Sequence, residues 1–221
     1  MKYKKVNLAI IFDQVLRTGG GYQQALNSLM SLTQPKNNSH YEPKIFTIYS
    51  ENIAILGNYG LRVELIKVSK FGRVWLKIRS LIYSSLLLKL MGPNEFEKKL
   101  INHEIDLVYF LSPSGWSNYL ERLNYITTIW DSCHRDFPEF PEVYENRIFE
   151  KREVNLNRIL ARSVAVVCDS ELGKDNIIRR YNIDQSRIHI VPFSPANAVQ
   201  TMSINHPNDV KNKFKIENNY I

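Results

Sequence analysis

The amino-acid sequence predicts an α/β fold, namely a Rossmann-like, doubly wound and mostly parallel sheet with helices on both faces. Short apolar runs alternate with helical patterns about six times along the chain. The short runs are apolar at nearly every position, which is typical of strands in a parallel sheet covered by helices on both sides. The 221 residues, 44% of them hydrophobic, suffice for one domain that buries roughly 70% of its unfolded surface.

The first half of the chain carries three strand patterns and three helix patterns. The strand Val6–Phe12 is almost entirely apolar, whereas Ala25, Leu26 and Leu29 recur at helical spacing. The predicted elements are a strand at 6–12, a helix at 22–32, strands at 44–49 and 62–68, and helices at 73–91 and 94–102.

The second half continues the alternation. Residues 142–162 contain no glycine or proline and are predicted to form the longest helix. Ser170 is suited to cap the helix 171–181, and Asn182 is suited to end it in a left-handed conformation. The predicted elements are strands at 106–111, 125–130, 164–168 and 187–191, and helices at 142–162 and 171–181.

One domain is predicted over residues 1–193. Residues 194–207 are polar and irregular, as in a linker. A short helix at 209–214 and the beginning of a strand at 218–221 suggest that 194–221 leads into a further domain.

The cysteine content and the lengths of the apolar stretches indicate the cellular compartment of the protein. The chain has two cysteines, Cys133 and Cys168, and no C-x-x-C motif. This argues against a disulfide framework and a structural zinc site. The N-terminal segment is interpreted as a strand rather than a signal peptide, and no uncharged apolar stretch reaches about 18 residues. We therefore expect a cytoplasmic protein.

Basic charge is concentrated in the first hundred residues. They carry 15 lysine and arginine residues against six acidic ones, a net charge of +9, whereas residues 101–221 carry 14 against 16, a net of −2. The asymmetry suggests an anionic partner: nucleic acid, anionic lipid or nucleotide phosphate. Nucleic acid is disfavoured because no helix-turn-helix, zinc-finger or RNA-recognition motif is present.

The predicted helix at 73–91 is both basic and unusually apolar. Twelve of the 18 residues at 74–91 are apolar, and Arg73, Lys77 and Arg79 supply positive charge. Such a helix lies either on an anionic membrane surface or against a lipid-linked acceptor. The alternative is a helix buried between its neighbours.

Three glycines, Gly19, Gly20 and Gly21, stand before Tyr22 between the first strand and the first helix. Glycine lets the backbone approach a ligand closely, and a helix N-terminus favours phosphate. The run is neither G-x-G-x-x-G nor a P-loop, so a flexible turn is the alternative.

The loop after the strand at 125–130 is dense in ionisable groups. Its candidates are Asp131, His134 and Arg135, because a histidine beside a carboxylate can act as a base or orient a hydroxyl. The alternative is a solvated loop whose charges pair with each other. Further candidate ligands are Ser112, Ser170 and Lys174, although turn and capping chemistry explains the two serines equally well.

Motifs from residue 106 to residue 195 occur in a recognisable order. They are the strand at 106–110, Thr-Thr-Ile-Trp-Asp at 127–131, Phe-Pro-Glu-Phe-Pro at 137–141, a helix rich in Arg and Glu, Ala-Val-Val-Cys-Asp-Ser-Glu at 165–171 with Lys174, Tyr-Asn-Ile at 181–183, Arg-Ile at 187–188 and Ile-Val-Pro at 190–192. This order resembles the N-terminal, acceptor-binding domain of a group 1, family 4-type glycosyltransferase of the GT-B fold. The glycine run also fits that family.

In that family two Rossmann-like domains face each other across a cleft. The resemblance implies sugar transfer from a nucleotide-sugar to a saccharide or a lipid-linked glycan, in cell envelope polysaccharide assembly at the inner face of the membrane. It implies no metal and no cofactor beyond the nucleotide-sugar co-substrate. The second, donor-binding domain is expected outside this chain, so the isolated chain is expected to be inactive.

The resemblance also suggests roles. Gly19–Gly21 would approach the sugar-phosphate, Asp131 and His134 would orient or deprotonate the acceptor hydroxyl, and the basic helix would face the membrane or the acceptor. The family commonly has His-Asp where this chain has Trp130-Asp131, and His134 follows three residues later. The alternative function is a non-catalytic Rossmann-type binding module, or a truncated remnant that acts with a separate donor-domain partner.

Overall fold

The computed structural model describes residues 5–15, 19–34, 40–82 and 85–194. These residues contain seven strands in one parallel sheet. The strands are β1 (Val6–Phe12), β2 (Tyr41–Thr47), β3 (Val63–Leu65), β4 (Leu107–Phe110), β5 (Asn124–Thr128), β6 (Ala165–Cys168) and β7 (Ile188–Ile190). Their order in the sheet is β3-β2-β1-β4-β5-β6-β7. The predicted Rossmann-like α/β fold is confirmed.

Eight α-helices connect these strands within the described residues. They are α1 (Gly19–Thr33), α2 (Glu51–Gly57), α3 (Lys70–Arg79), α4 (Ser85–Leu90), α5 (Glu95–Asn102), α6 (Pro141–Tyr144), α7 (Ile148–Arg162) and α8 (Glu171–Tyr181). A 3-10 helix (Gly115–Tyr119) follows β4. Neither α6 nor α2, which has only seven residues, was predicted as a separate helix from the sequence. None of the described helices combines the length and the apolar character needed to cross a bilayer.

Side chains of the central strands alternate between two cores. On β1, Ala9 and Ile11 pack with residues of α3 and α5, whereas Leu8, Ile10 and Phe12 pack with residues of α1 and α2. A third cluster joins α7 and α8 to β6 and β7. Since alternate strand residues point to opposite faces, burial on both faces explains the continuous apolar run of β1.

Helix ends are best predicted where capping chemistry marks them. Ser170 Oγ accepts a hydrogen bond from the Gly173 amide at 3.2 Å, and Asn182 ends α8 with φ of 53°. Both roles and both boundaries of α8 match the prediction.

Two helix predictions are wrong. The predicted helix at 73–91 is two helices, because α3 ends at Arg79, whose guanidinium turns inward, and α4 begins at Ser85. The predicted longest helix at 142–162 is interrupted, because Asn146 and Arg147 have left-handed φ values of 53° and 57°. The helix that remains, α7, has 15 residues, as many as α1.

The predicted linker at 194–207 lies outside the described residues except for Ser194. The predicted helix at 209–214 and the predicted strand at 218–221 also lie outside them. The division of the chain at residue 193 stays a prediction.

Candidate functional site

The segments that follow β1 and β4 meet at the carboxyl edge of the sheet. The strand order runs one way from β1 to β3 and the other way from β4 to β7, so β1 and β4 flank the switch point. Ligand sites of open α/β sheets lie at this point. A cavity of about 560 Å³ opens there, and we call it the switch-point pocket. It is lined by Asp13, Gln14, Tyr49, Arg73, Leu76, Lys77, Ser112, Pro113, Ser114, Gly115, Trp116, Asn118, Tyr119 and Trp130.

A carboxylate and a hydroxyl are paired in this pocket. Ser112, buried after β4, donates a hydrogen bond of 2.6 Å from Oγ to Oδ1 of Asp13, which follows β1. The bond ties the two strand ends together across the switch point. A carboxylate that accepts from one hydroxyl retains further acceptor capacity, so Asp13 can accept a hydrogen bond from a ligand hydroxyl.

Aromatic side chains form a wall of the same pocket. Trp116 packs against Phe96 of α5, with ring centroids 5.1 Å apart, and edge-to-face against Tyr119 at 5.7 Å. The 3-10 helix that carries both residues is held to α7, because Asn118 donates to Asn155 and Asn155 donates to the Pro113 carbonyl. The wall is therefore supported by α5 and α7.

The glycine run forms the first turn of α1 rather than a loop before it. Gly19 has a left-handed φ of 58°. A Cβ at Gly21 would lie 2.4 Å from Cζ3 of Trp130, so only glycine lets α1 pack this closely on the indole. Gly20 faces open space. The predicted phosphate role of the run stays a prediction, whereas the packing role of Gly21 is a structural fact.

Three side chains converge on Glu153 of α7, and we call this group the Glu153 cluster. His134 lies with Nε2 2.6 Å from Oε1, Tyr181 donates from its hydroxyl to Oε1 at 2.9 Å, and Arg135 donates from Nε at 2.8 Å and also from Nη2 to Oε2. The Arg135 guanidinium also lies 4.6 Å above the Tyr181 ring centroid. His134 is only 1% exposed, and its Nδ1 has no hydrogen-bond partner among the described residues.

The cluster fixes the charge of Glu153. Hydrogen bonds from Arg135 chiefly, and from His134 and Tyr181, lower the pKa of Glu153 to about 2 against the opposing effect of burial. The same hydrogen bond raises the pKa of Arg135. The cluster therefore holds an ion pair at neutral pH and anchors the loop after β5 to α7 and α8.

Arg180 of α8 makes a second anchor for this loop. It donates to the Ser132 carbonyl at 2.8 Å and to Asp136 Oδ1. His134, Arg135 and Asp136 thus pair with residues of α7 and α8. The alternative expected the loop charges to pair with each other, and these three instead pair with neighbouring elements. Of the predicted site residues in the loop, Arg135 and His134 belong to this internal network.

The structure does not bring Asp131 and His134 together. Asp131 is exposed, accepts from the Cys133 amide at 3.1 Å, and lines a smaller cavity of about 170 Å³ between the ends of β5 and β6. His134 lines neither cavity, because its ring is buried against Glu153 and Phe149. Their joint role stays a prediction that this arrangement does not favour.

The remaining predicted residues occupy different surroundings. Ser170 lines the smaller cavity and caps α8, whereas Lys174 lines neither cavity. Tyr22 packs edge-to-face on Phe12, with ring centroids 5.9 Å apart, and burial chiefly raises its pKa to about 12. Ser112 is the one predicted ligand residue that faces the switch-point pocket beside a carboxylate.

The three predicted surface cations of α3 divide into two groups. Arg73 and Lys77 are exposed and line the switch-point pocket. Arg79 is 3% exposed and donates to Glu121 from Nε at 2.9 Å and from Nη2 at 2.5 Å, and to the Gly92 carbonyl at 2.8 Å. Arg79 therefore does not belong to a membrane or acceptor surface, and that part of the prediction is wrong.

Sequence reasoning missed Asp13 and Glu153. Asp13 is not among the candidates from the sequence, although it directly follows the first strand and ligands of doubly wound folds bind at the carboxyl ends of the strands. Glu153 gave no signal, because a single glutamate in a charged helix resembles its solvated neighbours. In the described part of the chain, no three His, Cys, Asp or Glu residues are grouped so that they could hold a metal ion.

No family model matches this sequence, and no curated protein matches it either. Solved structures do match. HepE of Anabaena, solved in complex with UDP and glucose, is 12% identical with a TM-score of 0.56 over 97% of this chain and 52% of HepE. A glycosyltransferase from Rickettsia africae ESF-5 is 11% identical with a TM-score of 0.51 over 98% of this chain and 51% of that protein.

At such low identities the likeness shows the fold. The chain spans about half the length of these two solved proteins. It has the fold of one half of each.

Proposed function

We propose that this chain is the acceptor-binding half of a glycosyltransferase of the GT-B type. In this proposal a sugar passes from a nucleotide-sugar to a hydroxyl of a saccharide or a lipid-linked glycan. The fold likeness to half of HepE, which was solved with UDP and glucose, and to half of the Rickettsia africae glycosyltransferase supports it. The order of motifs between residues 106 and 195 points to the same family.

The observation that carries the proposal is the switch-point pocket, with Asp13 and Ser112 paired beside an aromatic wall. Sugars offer hydroxyl groups around a ring whose faces are partly apolar. Asp13 can accept from a sugar hydroxyl, and the rings of Trp116, Tyr119 and Trp130 can contact the apolar face.

In the proposed reaction, Asp13 is the residue that holds the acceptor hydroxyl. The hydrogen bond from Ser112 orients the Asp13 carboxylate and uses one of its lone pairs. The other lone pairs of Asp13 stay available to the acceptor hydroxyl. A carboxylate in hydrogen-bond contact with the attacking hydroxyl can orient it and receive its proton. Asp131 and Ser170 line the neighbouring cavity, where they would contact another part of the reactants.

The nucleotide-sugar is bound mainly by a second domain in this proposal. The described residues form a single sheet, which is one of the two Rossmann-like domains expected in this proposal. The first turn of α1, which begins at Gly19, offers backbone N–H groups to the donor phosphate across the cleft. We place the reaction in cell envelope polysaccharide assembly, on the cytoplasmic side of a membrane, with an anionic membrane surface as a further partner.

A second candidate is a binding module that works with a separate donor-binding protein. The observation in its favour is that the described residues have the fold of one half of each of the two solved proteins. This candidate keeps saccharide binding in the switch-point pocket and places the donor on another polypeptide.

Saccharide binding at Asp13 tests the proposal. The full chain is titrated with methyl β-glucoside, methyl β-galactoside and N-acetylglucosamine, and the tryptophan emission is recorded, to which Trp116 and Trp130 of the pocket contribute together with Trp75. At least one sugar should change the emission, and Asp13→Asn should weaken that binding about tenfold or more, since a hydrogen bond to a charged group contributes roughly 1.5–3 kcal/mol.

The matched control is Asp175→Asn, an exposed carboxylate on α8 outside both cavities. It should bind like the unaltered chain. Equal weakening by both substitutions, or no response to any of the three sugars, would count against an acceptor site in this pocket.

A further inference from the structure

The helices α3 and α4 carry several exposed large apolar side chains, and α3 also lines the switch-point pocket. Phe71 and Leu90 are 80% and 78% exposed, the highest values among the large hydrophobic side chains of the described residues. We call the following set the α3–α4 apolar surface: Phe71, Val74, Trp75, Ile78, Leu86 and Leu90, all of them exposed. Contiguous apolar exposure of this kind marks an interaction site.

The helix α3 has three distinct sides. Gly72, Leu76 and Arg79 are buried against the domain. Because a helix turns about 100° per residue, Phe71, Val74 and Ile78 centre about 130° around the helix from these buried residues. Arg73 and Lys77 form a third side and line the pocket. The apolar side is therefore adjacent to a row of cations.

These cations are available to an anionic partner. Neither Arg73 nor Lys77 has an ion pair or a hydrogen bond from its side chain to another described residue, whereas Arg79 is paired with Glu121. Residues 62–91 contain seven lysines and arginines and one acidic residue, Glu64. The excess of positive charge is adjacent to the apolar side chains on the same helix.

The two helices are fixed relative to each other at one end. Arg79, the last residue of α3, donates to the carbonyl of Gly92, which follows the end of α4. The C-terminal ends of both helices thus lie close together.

We infer that the α3–α4 apolar surface docks on an anionic lipid bilayer, with Arg73 and Lys77 against lipid phosphates at the mouth of the pocket. An amphipathic helix with apolar side chains on one side and cations beside them is suited to the membrane interface. The inference rests on the proposed function, because it assigns the acceptor to the lipid-linked class. The pocket then opens at the level of the headgroups, where the sugar of such an acceptor lies.

Vesicle flotation tests the inference with the full chain. The vesicles contain phosphatidylcholine alone or with about one-third phosphatidylglycerol. The chain should float with the anionic vesicles and bind less to the neutral ones. Arg73→Gln combined with Lys77→Gln should lower the partition coefficient about 30-fold, since each cation near the surface contributes roughly 1 kcal/mol.

A second pair of substitutions tests the apolar side. Phe71→Ser combined with Ile78→Ser should lower partitioning by at least about 30-fold. Two matched controls should float like the unaltered chain: Lys151→Gln with Arg158→Gln on the exposed side of α7, and Phe137→Ser with Phe140→Ser in the loop after β5. Equal losses in the controls, or no binding to anionic vesicles, would overturn the inference.

Tryptophan quenching supplies a readout that depends on contact with lipid. Trp75 is exposed on α3, whereas Trp116 and Trp130 are partly buried in the pocket. Brominated phospholipid should quench part of the emission of the bound chain, and Trp75→Phe should abolish that part. The emission of Trp116 and Trp130 also reports whether each variant is folded. Quenching that persists in Trp75→Phe would contradict the inference.

Other partners of the α3–α4 apolar surface would give different experimental results. Self-association that Phe71→Ser with Ile78→Ser abolishes, without vesicle binding, would identify a second copy as the occupant. Binding of free glucose 1-phosphate that prevents flotation would indicate a phosphate site without a membrane surface. The Asp13→Asn variant should float like the unaltered chain, because Asp13 belongs to the saccharide site and not to the membrane surface. If the unaltered chain binds saccharide but does not float with anionic vesicles, the inference is wrong and the proposed function stands.

Discussion

At the scale of single residues, the most instructive contrast is between Asp13 and Glu153. Both carboxylates accept hydrogen bonds from protein side chains. Among the described residues, Asp13 accepts from one such side chain and lies in a cavity, whereas Glu153 accepts from three. A carboxylate saturated by protein donors has little capacity left for a ligand. Asp13 is therefore suited to binding, and Glu153 to holding the loop after β5 in place.

The pH dependence of stability tests the role of Glu153. Its pKa of about 2 in the folded protein lies below the ordinary value of 4.5, so its contribution is present above the unfolded pKa and is lost as the pH falls. The free energy of unfolding should therefore drop between about pH 5 and pH 2, by on the order of 2–3 kcal/mol from this group.

The variant Glu153→Gln should lose this contribution at neutral pH and show a shallower pH dependence. Urea unfolding at a series of pH values measures both effects. The control Glu150→Gln changes an exposed glutamate on the same helix and should leave the curve unchanged. A variant Glu153→Gln whose curve is parallel to that of the unaltered chain would show that the cluster does not hold a charged carboxylate.

At the scale of elements, α3 is stabilised by its last residue. Arg79 joins the end of α3 to Gly92 before α5 and to Glu121 before β5, and its positive charge is buried. Removal of one partner from a buried ion pair leaves the other charge uncompensated. The helix is thus attached to the sheet through an ion pair as well as through Leu76.

Arg79→Gln is accordingly expected to destabilise the protein by about 3–5 kcal/mol in urea unfolding. Arg73→Gln, which alters an exposed cation on the same helix, should change the free energy of unfolding by no more than about 0.5 kcal/mol. Equal stabilities of the two variants would mean that the ion pair with Glu121 contributes little. Because of this difference, Arg79 is unsuitable as a test of membrane binding.

The sequence predicted those elements whose ends have a chemical marker. The boundaries of β1 and α8 are correct because an uninterrupted apolar run and two capping residues identify them. The kink before α7 was missed, since Asn146 and Arg147 adopt left-handed φ without a glycine to signal it. The break after Arg79 was missed because a buried arginine and an exposed one look alike in sequence.

The site was predictable only in part. The fold class places the site at the carboxyl edge of the sheet, and Ser112, Arg73 and Lys77 were identified among its candidates. The pairing of His134 with Glu153, 19 residues apart in the chain, depends on how the loop after β5 folds onto α7. No local pattern in the sequence contains that information.

At the scale of the whole molecule, the parallel sheet brings all strand ends that carry candidate residues to one edge. A donor molecule bound there needs a second surface facing that edge, and the chain has the fold of only half of the solved proteins that it matches. The 221-residue chain alone should therefore release no nucleotide from UDP-, GDP- or ADP-sugars above the rate without protein. Chromatography of the released nucleotide measures this.

The chain alone is compared with the chain in the presence of a donor-binding domain. Addition of a separately produced donor-binding domain to the same mixture should start nucleotide release, and Asp13→Asn should suppress it. Sustained release by the chain alone that Asp13→Asn abolishes would show that the donor site is already complete within these residues.

The three-sided arrangement of α3 also has an evolutionary consequence. Leu76 belongs to the domain core and also lines the pocket, Lys77 lines the pocket, and Ile78 lies on the outer surface. Residues next to each other in the chain are therefore under different constraints. Related sequences with other ligands should vary at every third or fourth position of this helix while the intervening positions stay constant, which makes α3 a natural target for altering specificity without loss of stability.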